Sequence, residues 1–138
     1  YIGSEDTAGL SLEPLPDHTA GVVAQVTAKD QKRGRVLHRY YSEMTISLRE
    51  MYRVLKPGKA AIVVVGNSTL RGIDTEIPIC LAEIGQSSGF EVPAIGVRQL
   101  DRNRRLMPAG AKIDRNSQIQ QRMHEEYVIG FYKPITVG

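Results

Sequence analysis

The sequence predicts an α/β fold whose sheet is mostly parallel and wound with helices. Three observations carry this. Leu37, Tyr41, Met44, Leu48, Met51 and Leu55 recur at steps of four and three, which lines one stripe of a helix. Lys56-Pro57-Gly58 stops that helix, because Pro57 disfavours helical geometry at Lys56 and Gly58 tolerates a left-handed turn. Ala60-Ala-Ile-Val-Val-Val65 follows without polar alternation, the pattern of a strand covered on both faces.

The elements follow in chain order. Residues 1–20 carry Gly3, Gly9, Pro14 and Pro16 among scattered acids and read as an arm or loop. Val22, Val23 and Val26 suit the face of a short helix. Lys29 to Arg35 is polar and basic around Gly34 and reads as a connector. The long helix is expected from Val36 to Leu55 and the buried strand from Ala60 to Val65. Gly66-Asn67-Ser68 opens the loop at that strand's carboxyl end, where wound sheets place ligands.

A second helix comes next. Asp74 or Thr75 can cap it, since a short oxygen-bearing side chain accepts from free first-turn amides. Pro78 fits its first turn. Ile77, Cys80, Leu81 and Ile84 form its apolar face, and Gly89 ends it. Phe90 to Leu100 reads as a strand with Val92, Ala94 or Ile95, and Val97 inward. Leu100 to Glu125 is a polar, Arg-rich connection. Glu126 to Lys133 is the last strand, closed by Pro134. A parallel crossover followed by a long hairpin-like return results.

At these residues a family resemblance becomes specific. Tyr40-Tyr-Ser-Glu-Met44, Leu48-Arg-Glu-Met-Tyr-Arg-Val-Leu-Lys-Pro-Gly58 and Val65-Gly-Asn-Ser68 resemble the late part of an S-adenosylmethionine-dependent methyltransferase. The Lys-Pro-Gly element is shared across that superfamily. Val65-Gly-Asn-Ser68 and Arg104-Arg-Leu-Met-Pro108 narrow the resemblance to the DNA modification methylases that act on exocyclic amino groups, N4 of cytosine or N6 of adenine. Tyr1-Ile-Gly-Ser-Glu5 is similar to the stretch after the catalytic Pro-Pro-Tyr loop of these enzymes. The resemblance runs from Val36 to Pro134 and is weakest from Asp6 to Arg35. It implies the C-terminal part of a Rossmann-like methyltransferase sheet, in the order helix, strand, helix, strand, strand, with the last strand antiparallel between its two predecessors. It also implies S-adenosylmethionine as cofactor and DNA as partner.

The family's Gly-rich cofactor loop and Pro-Pro-Tyr catalytic loop have no counterpart here: there is no Pro-Pro pair and no Gly-x-Gly. The expectation is therefore a C-terminal half, with residues 1–35 as an N-terminal arm and 36–138 as the methyltransferase part. No catalytic residue is assigned. A methyltransferase acting on RNA or a small molecule, and a non-catalytic nucleic-acid-binding fragment, are the alternatives. The resemblance places the Ala60–Val65 strand beside one upstream of Tyr1. An exposed edge there would favour a homodimer through this strand.

Composition sets the outer limits. The 138 residues are 41% hydrophobic and 24% charged, which argues against wholesale disorder. No apolar run approaches a membrane span and no signal pattern appears. Cys80 is the single cysteine, so an intrachain disulfide is impossible, which fits a cytoplasmic setting. The net charge of +3 is compatible with nucleic acid without pointing to it.

Two groups of residues could carry function. Gly66, Asn67 and Ser68 could shape a pocket for a flipped base; the plainer reading is a strand-to-helix turn, which favours the same residues. Arg98, Arg102, Arg104, Arg105, Lys112 and Arg115, followed by Arg122, could grip phosphates. Solvated or internally paired arginines are the plainer alternative. No aromatic lies between Phe90 and Tyr127, so base stacking there has no support. His18, His38 and His124 are far apart and no second cysteine exists, which argues against a metal site. Cys80, Tyr41, Met44 and Met51 read as core, and Tyr40 as half-exposed.

Overall fold

A computed structural model describes residues 12–99 and 125–135. In chain order these form α1 (Asp17–Lys29), α2 (Gln31–Val54), β1 (Ala60–Val65), β2 (Thr69–Leu70), β3 (Ile73–Asp74), α3 (Ile77–Ser87), β4 (Ile95–Gln99) and β5 (Glu125–Tyr132). None of the described helices is long and apolar enough to cross a membrane.

The stripe on α2 is the centre of the core. Leu37, Tyr41, Met44 and Leu48 are buried, while Met51 and Leu55 pack at its margin. Val22, Val23 and Val26 of α1 join them, as do Cys80, Leu81 and Ile84 of α3. The expected connector from Lys29 to Arg35 is absent. Only Asp30 separates α1 from α2, and its side chain accepts from the Arg33 amide at 3.1 Å. Residues 31–33 and Arg35 are polar because they face solvent, not because the backbone is irregular. Gly34 is the buried exception, and a Cβ there would overlap the Thr27 hydroxyl of α1.

The Lys-Pro-Gly stop behaves as expected. Gly58 has φ +83°, and its amide donates to the Lys133 carbonyl at 2.7 Å. Lys133 returns the contact: its ammonium donates to the carbonyls of Tyr52 and Leu55 at 2.7 and 2.8 Å and lies over the Tyr52 ring. A cation satisfying the last carbonyls of α2 also opposes the negative end of the helix dipole.

The main sheet has the order β1-β5-β4. β5 runs antiparallel to both neighbours, from Ala60↔Tyr132 to Val65↔Tyr127 on one side and from Ile95↔Ile129 to Gln99↔Glu125 on the other. β1 and β4 therefore run in the same direction with α3 between them in sequence. This is the insertion of the last strand that the resemblance implied.

The sheet is covered on one face only among the described residues, which corrects the expectation for β1. Ala61, Val63 and Val65 alternate inward with Ile129 and Phe131 of β5, whereas Ile62 and Val64 are 64% and 53% exposed. All three helices contribute to a single core on the inner face. A run of apolar residues shows that both faces want cover, not that the same stretch of chain supplies it. Val97 was expected inward and is 57% exposed. It shares the inner face with Ile95 by period-two alternation, but lies one step beyond the cover the helices provide. Ala94 is exposed as well, while Val92 and Ile95 are half-buried.

Candidate functional site at the carboxyl edge of the sheet

The register fixes which loops share an edge. Val65 ends β1 opposite Tyr127, and Gln99 ends β4 opposite Glu125. The Gly66-Asn67-Ser68 loop and the connection after Gln99 therefore leave the sheet at the same end. The candidate loop after Val65 and Gln99, the last described residue before the Arg-rich segment, thus lie at the same end of the sheet on either side of β5. Arg102, Arg104, Arg105, Lys112, Arg115, Arg122 and His124 lie outside the described residues. Arg98 is described: it is exposed, stands across from Glu126 in the register, and its Nε lies 3.8 Å from that carboxylate. Of the six basic candidates it is the one seen in an internal pair.

After Ser68 the chain makes a small hairpin, β2 paired with β3, which the sequence reading missed. Its turn is Arg71-Gly72, with φ +51° and +78°. Two consecutive positive φ values are the mark of a type I′ turn, whose twist matches that of the strands. The signal in the sequence is the Arg71-Gly72 dipeptide between Thr69-Leu70 and Ile73-Asp74. The Arg71 guanidinium donates to the Asp30 carboxylate at 2.8 Å and pins the hairpin to the α1–α2 corner. The Asp30 carboxyl is held below its usual range, first by the Arg33 amide and then by Arg71.

The loop itself is closely tied. The Asn67 amide donates to Asp74 at 2.7 Å, and its oxygen accepts from the Ile77 amide at 3.1 Å, so it serves the first turn of α3. The same Asp74 oxygen accepts from the Glu76 amide at 2.9 Å. Capping of α3 was expected from Asp74 or Thr75; in fact Asn67 and Asp74 share it from two different places in the chain. Glu76 sits at the cap position with φ +51°, unusual for a residue with a side chain, and its carboxylate meets His18 at 3.3 Å.

Thr75 is fully buried and joins this loop to the core. Its amide and hydroxyl both donate to the Ser68 carbonyl, at 3.0 and 2.8 Å, and its own carbonyl accepts from the Tyr41 hydroxyl at 2.7 Å. Burial, with the neighbouring Cys80 adding to it, pushes the Tyr41 phenol far above its ordinary value. Burial likewise raises the Cys80 thiol, which suits a small core residue better than a nucleophile. Tyr127 at the same sheet edge donates to Glu125 at 3.1 Å, and that carboxylate raises its pKa.

Among the described residues no group of histidines, cysteines and carboxylates could hold a metal ion. His38 instead contacts the Glu13 carbonyl at 2.8 Å. A cleft of about 610 Å³ lies along α1 and α2, touching Leu15, Ala20, Val23, Thr27 and His38; none of Gly66, Asn67 or Ser68 lines it. The described residues also do not form a seat for an anionic cofactor group at the β1–α3 turn. The amides of Thr75, Glu76 and Ile77, which could have received one, are spent on Ser68, Asp74 and Asn67.

Compared with known proteins, the chain matches no family model and no curated protein. It does match solved structures. One is the selenomethionine form of a Thermus thermophilus protein provisionally described as a DNA modification methylase, at 18% identity and a TM-score of 0.53, over 83% of this chain. Another is the same protein complexed with S-adenosyl-L-methionine, at 20% identity and a TM-score of 0.53, over 75% of this chain. The chain spans 43% and 40% of the length of those two structures. The fold of this chain is thus similar to that of part of those solved structures.

Proposed function

We propose that this chain forms part of an S-adenosylmethionine-dependent methyltransferase that methylates an exocyclic amino group of a DNA base, N4 of cytosine or N6 of adenine. One observation carries the reading: the β1-β5-β4 order, with Gly66-Asn67-Ser68 and the Gln99 end of β4 at the same sheet edge. The shared fold with a methylase structure that binds S-adenosyl-L-methionine supports it. In this reading the cofactor is held by other parts of the enzyme, since the described turn amides are already engaged. Gly66, Asn67 and Ser68 line the base pocket. Arg98, Arg102, Arg104, Arg105, Lys112 and Arg115 face the phosphates, positioning the duplex without reading its sequence. In the isolated chain, the edge of β1 that no described strand pairs is a surface for a second copy.

The test is an assay of the native protein that carries this chain, with methyl-labelled S-adenosylmethionine and duplex DNA. The expected product is N4-methylcytosine or N6-methyladenine after digestion. Label confined to the C5 position of cytosine, or no label in DNA, overturns the reading. The isolated 138-residue chain is expected to bind the cofactor more weakly than about micromolar, roughly −8 kcal/mol. Tight stoichiometric binding in titration calorimetry contradicts the half-domain assignment.

A further inference from the structure

The hydrogen bonds around Ser68 fix the polarity of its hydroxyl. Thr75 has one hydroxyl proton, and its Oγ1 lies 2.8 Å from the Ser68 carbonyl, an atom that can only accept. That proton is therefore committed. Ser68 Oγ lies 2.9 Å from the same Thr75 Oγ1, so in this second contact Ser68 must be the donor. Its proton is committed in turn, and what the hydroxyl oxygen of Ser68, an exposed residue, retains is lone pairs. Thr75 cannot relax out of this arrangement: it is fully buried, its amide also holds the Ser68 carbonyl, and its own carbonyl is held by Tyr41. Asn67, the other polar side chain of the loop, has its oxygen on Ile77 and its amide on Asp74.

We infer that Ser68 is the ligand-binding group of this loop, acting as an obligate hydrogen-bond acceptor for an N–H donor such as the exocyclic amino group of a nucleobase, and that buried Thr75 is the positioning residue that sets this polarity. The inference rests on the proposed function and names the atom of the pocket that discriminates. A keto base presents an acceptor at the same place and would meet lone pairs with lone pairs. An amino base presents the matching donor. Asn67 is held in place by its bonds to Asp74 and Ile77.

The experiment is an amide-resolved NMR titration of the 138-residue chain with cytidine, with uridine, and with N4,N4-dimethylcytidine, which keeps the cytosine ring but has no N–H to give. Cytidine is expected to shift the Gly66–Ser68 amides and to bind about fivefold more tightly than the other two, the ratio one neutral hydrogen bond supplies. Ser68→Ala should abolish the preference and Ser68→Thr should keep it. Thr75→Val should reduce the preference, and Thr75→Ser, which retains the hydroxyl, should restore it. A merely structural clamp would change stability in these variants without changing the ratio. Equal binding of the three nucleosides, no shift with any of them, or a preference that survives Ser68→Ala overturns the inference. The outcomes separate it from the underlying reading. Equal binding by a protein that still methylates DNA amino groups removes only the role of Ser68. A clear preference in a protein that transfers no methyl group removes the methylase reading and leaves the acceptor site.

Discussion

Glu83 caps α1 from across the core through Thr19. One carboxylate oxygen accepts both the Thr19 amide at 2.8 Å and the Thr19 hydroxyl at 2.7 Å, and the other accepts the His18 amide at 3.2 Å. The helix begins after Pro16 and has no side-chain cap of its own, so α3 supplies what the local sequence lacks.

This arrangement makes stability depend on pH. Burial raises the Glu83 pKa, but the bonds from Thr19 and His18 outweigh it and leave the carboxyl below its ordinary value near 4.5. A carboxylate favoured in the folded state stabilises above that ordinary value. The contribution fades as pH falls through 4.5 toward the lowered folded value. Thermal melts at pH 7 and at decreasing acid pH should show this decline in the native chain and a flatter profile in Glu83→Gln. At neutral pH Glu83→Ala should cost about 1–2 kcal/mol, the size of a helix cap. A variant as stable as the native chain at pH 7 would show the cap to be dispensable.

Gly85 and Phe131 are a matched pair. A Cβ at Gly85 would overlap the buried Phe131 ring, so α3 lies on β5 at a distance only glycine permits. Gly85→Ala should destabilise by about 1–3 kcal/mol through overpacking. Adding Phe131→Leu should recover part of this, although Phe131→Leu alone is destabilising. Denaturant melts of the two single variants and the double variant measure the coupling; simple additivity would mean the ring and the helix are independent.

The open face of β1 should drive association. Ile62 and Val64 leave apolar side chains in water, each worth about 1.5–3 kcal/mol when buried, beside an edge that no described strand pairs. Light scattering should show the native chain self-associating as concentration rises, while Val64→Lys stays monomeric with unchanged circular dichroism. A monomer at high concentration, with the Ile62–Val65 amides protected from exchange, would show that the edge is already covered.

The basic segment should make DNA binding salt-dependent. Changing Arg102, Arg104 and Arg105 together to alanine in the native protein should weaken specific and random DNA alike. The slope of log affinity against log salt should flatten by about 0.9 for each phosphate no longer neutralised. An unchanged slope would mean these arginines are paired internally, as Arg98 is with Glu126.

What the sequence disclosed depended on whether the governing pattern was local. The α2 stripe from Leu37 to Leu55 and the α3 face at Cys80, Leu81 and Ile84 obey helical period, and both are core. The Lys-Pro-Gly stop is local too, and Gly58 takes the left-handed φ expected of it. The misreadings share a different cause. Whether Ile62 and Val97 are covered depends on where the helices end, which no window of residues around them records. The polar run 31–35 looked like a loop because a solvent-facing first helical turn and a loop share a composition. At the candidate site the loop was legible, but its chemistry was not. That Asn67 is tied to Ile77 and Asp74, while Ser68 is polarised by Thr75, follows only from the fold of the β2–β3 hairpin.

The insertion of β5 bears on how the chain matures as it is made. Among the described strands β1 and β4 are not paired with each other; each is joined to β5, and Ala60 waits for Tyr132. A ribosome delivers both outer strands well before the strand that unites them. Until then the helices can gather, but the sheet has no centre, and Ile62 through Val65 stay available to any passing chain or chaperone. Early termination ahead of Glu125 should therefore yield no smaller version of the fold. It should yield a helical, adhesive intermediate that quality control removes.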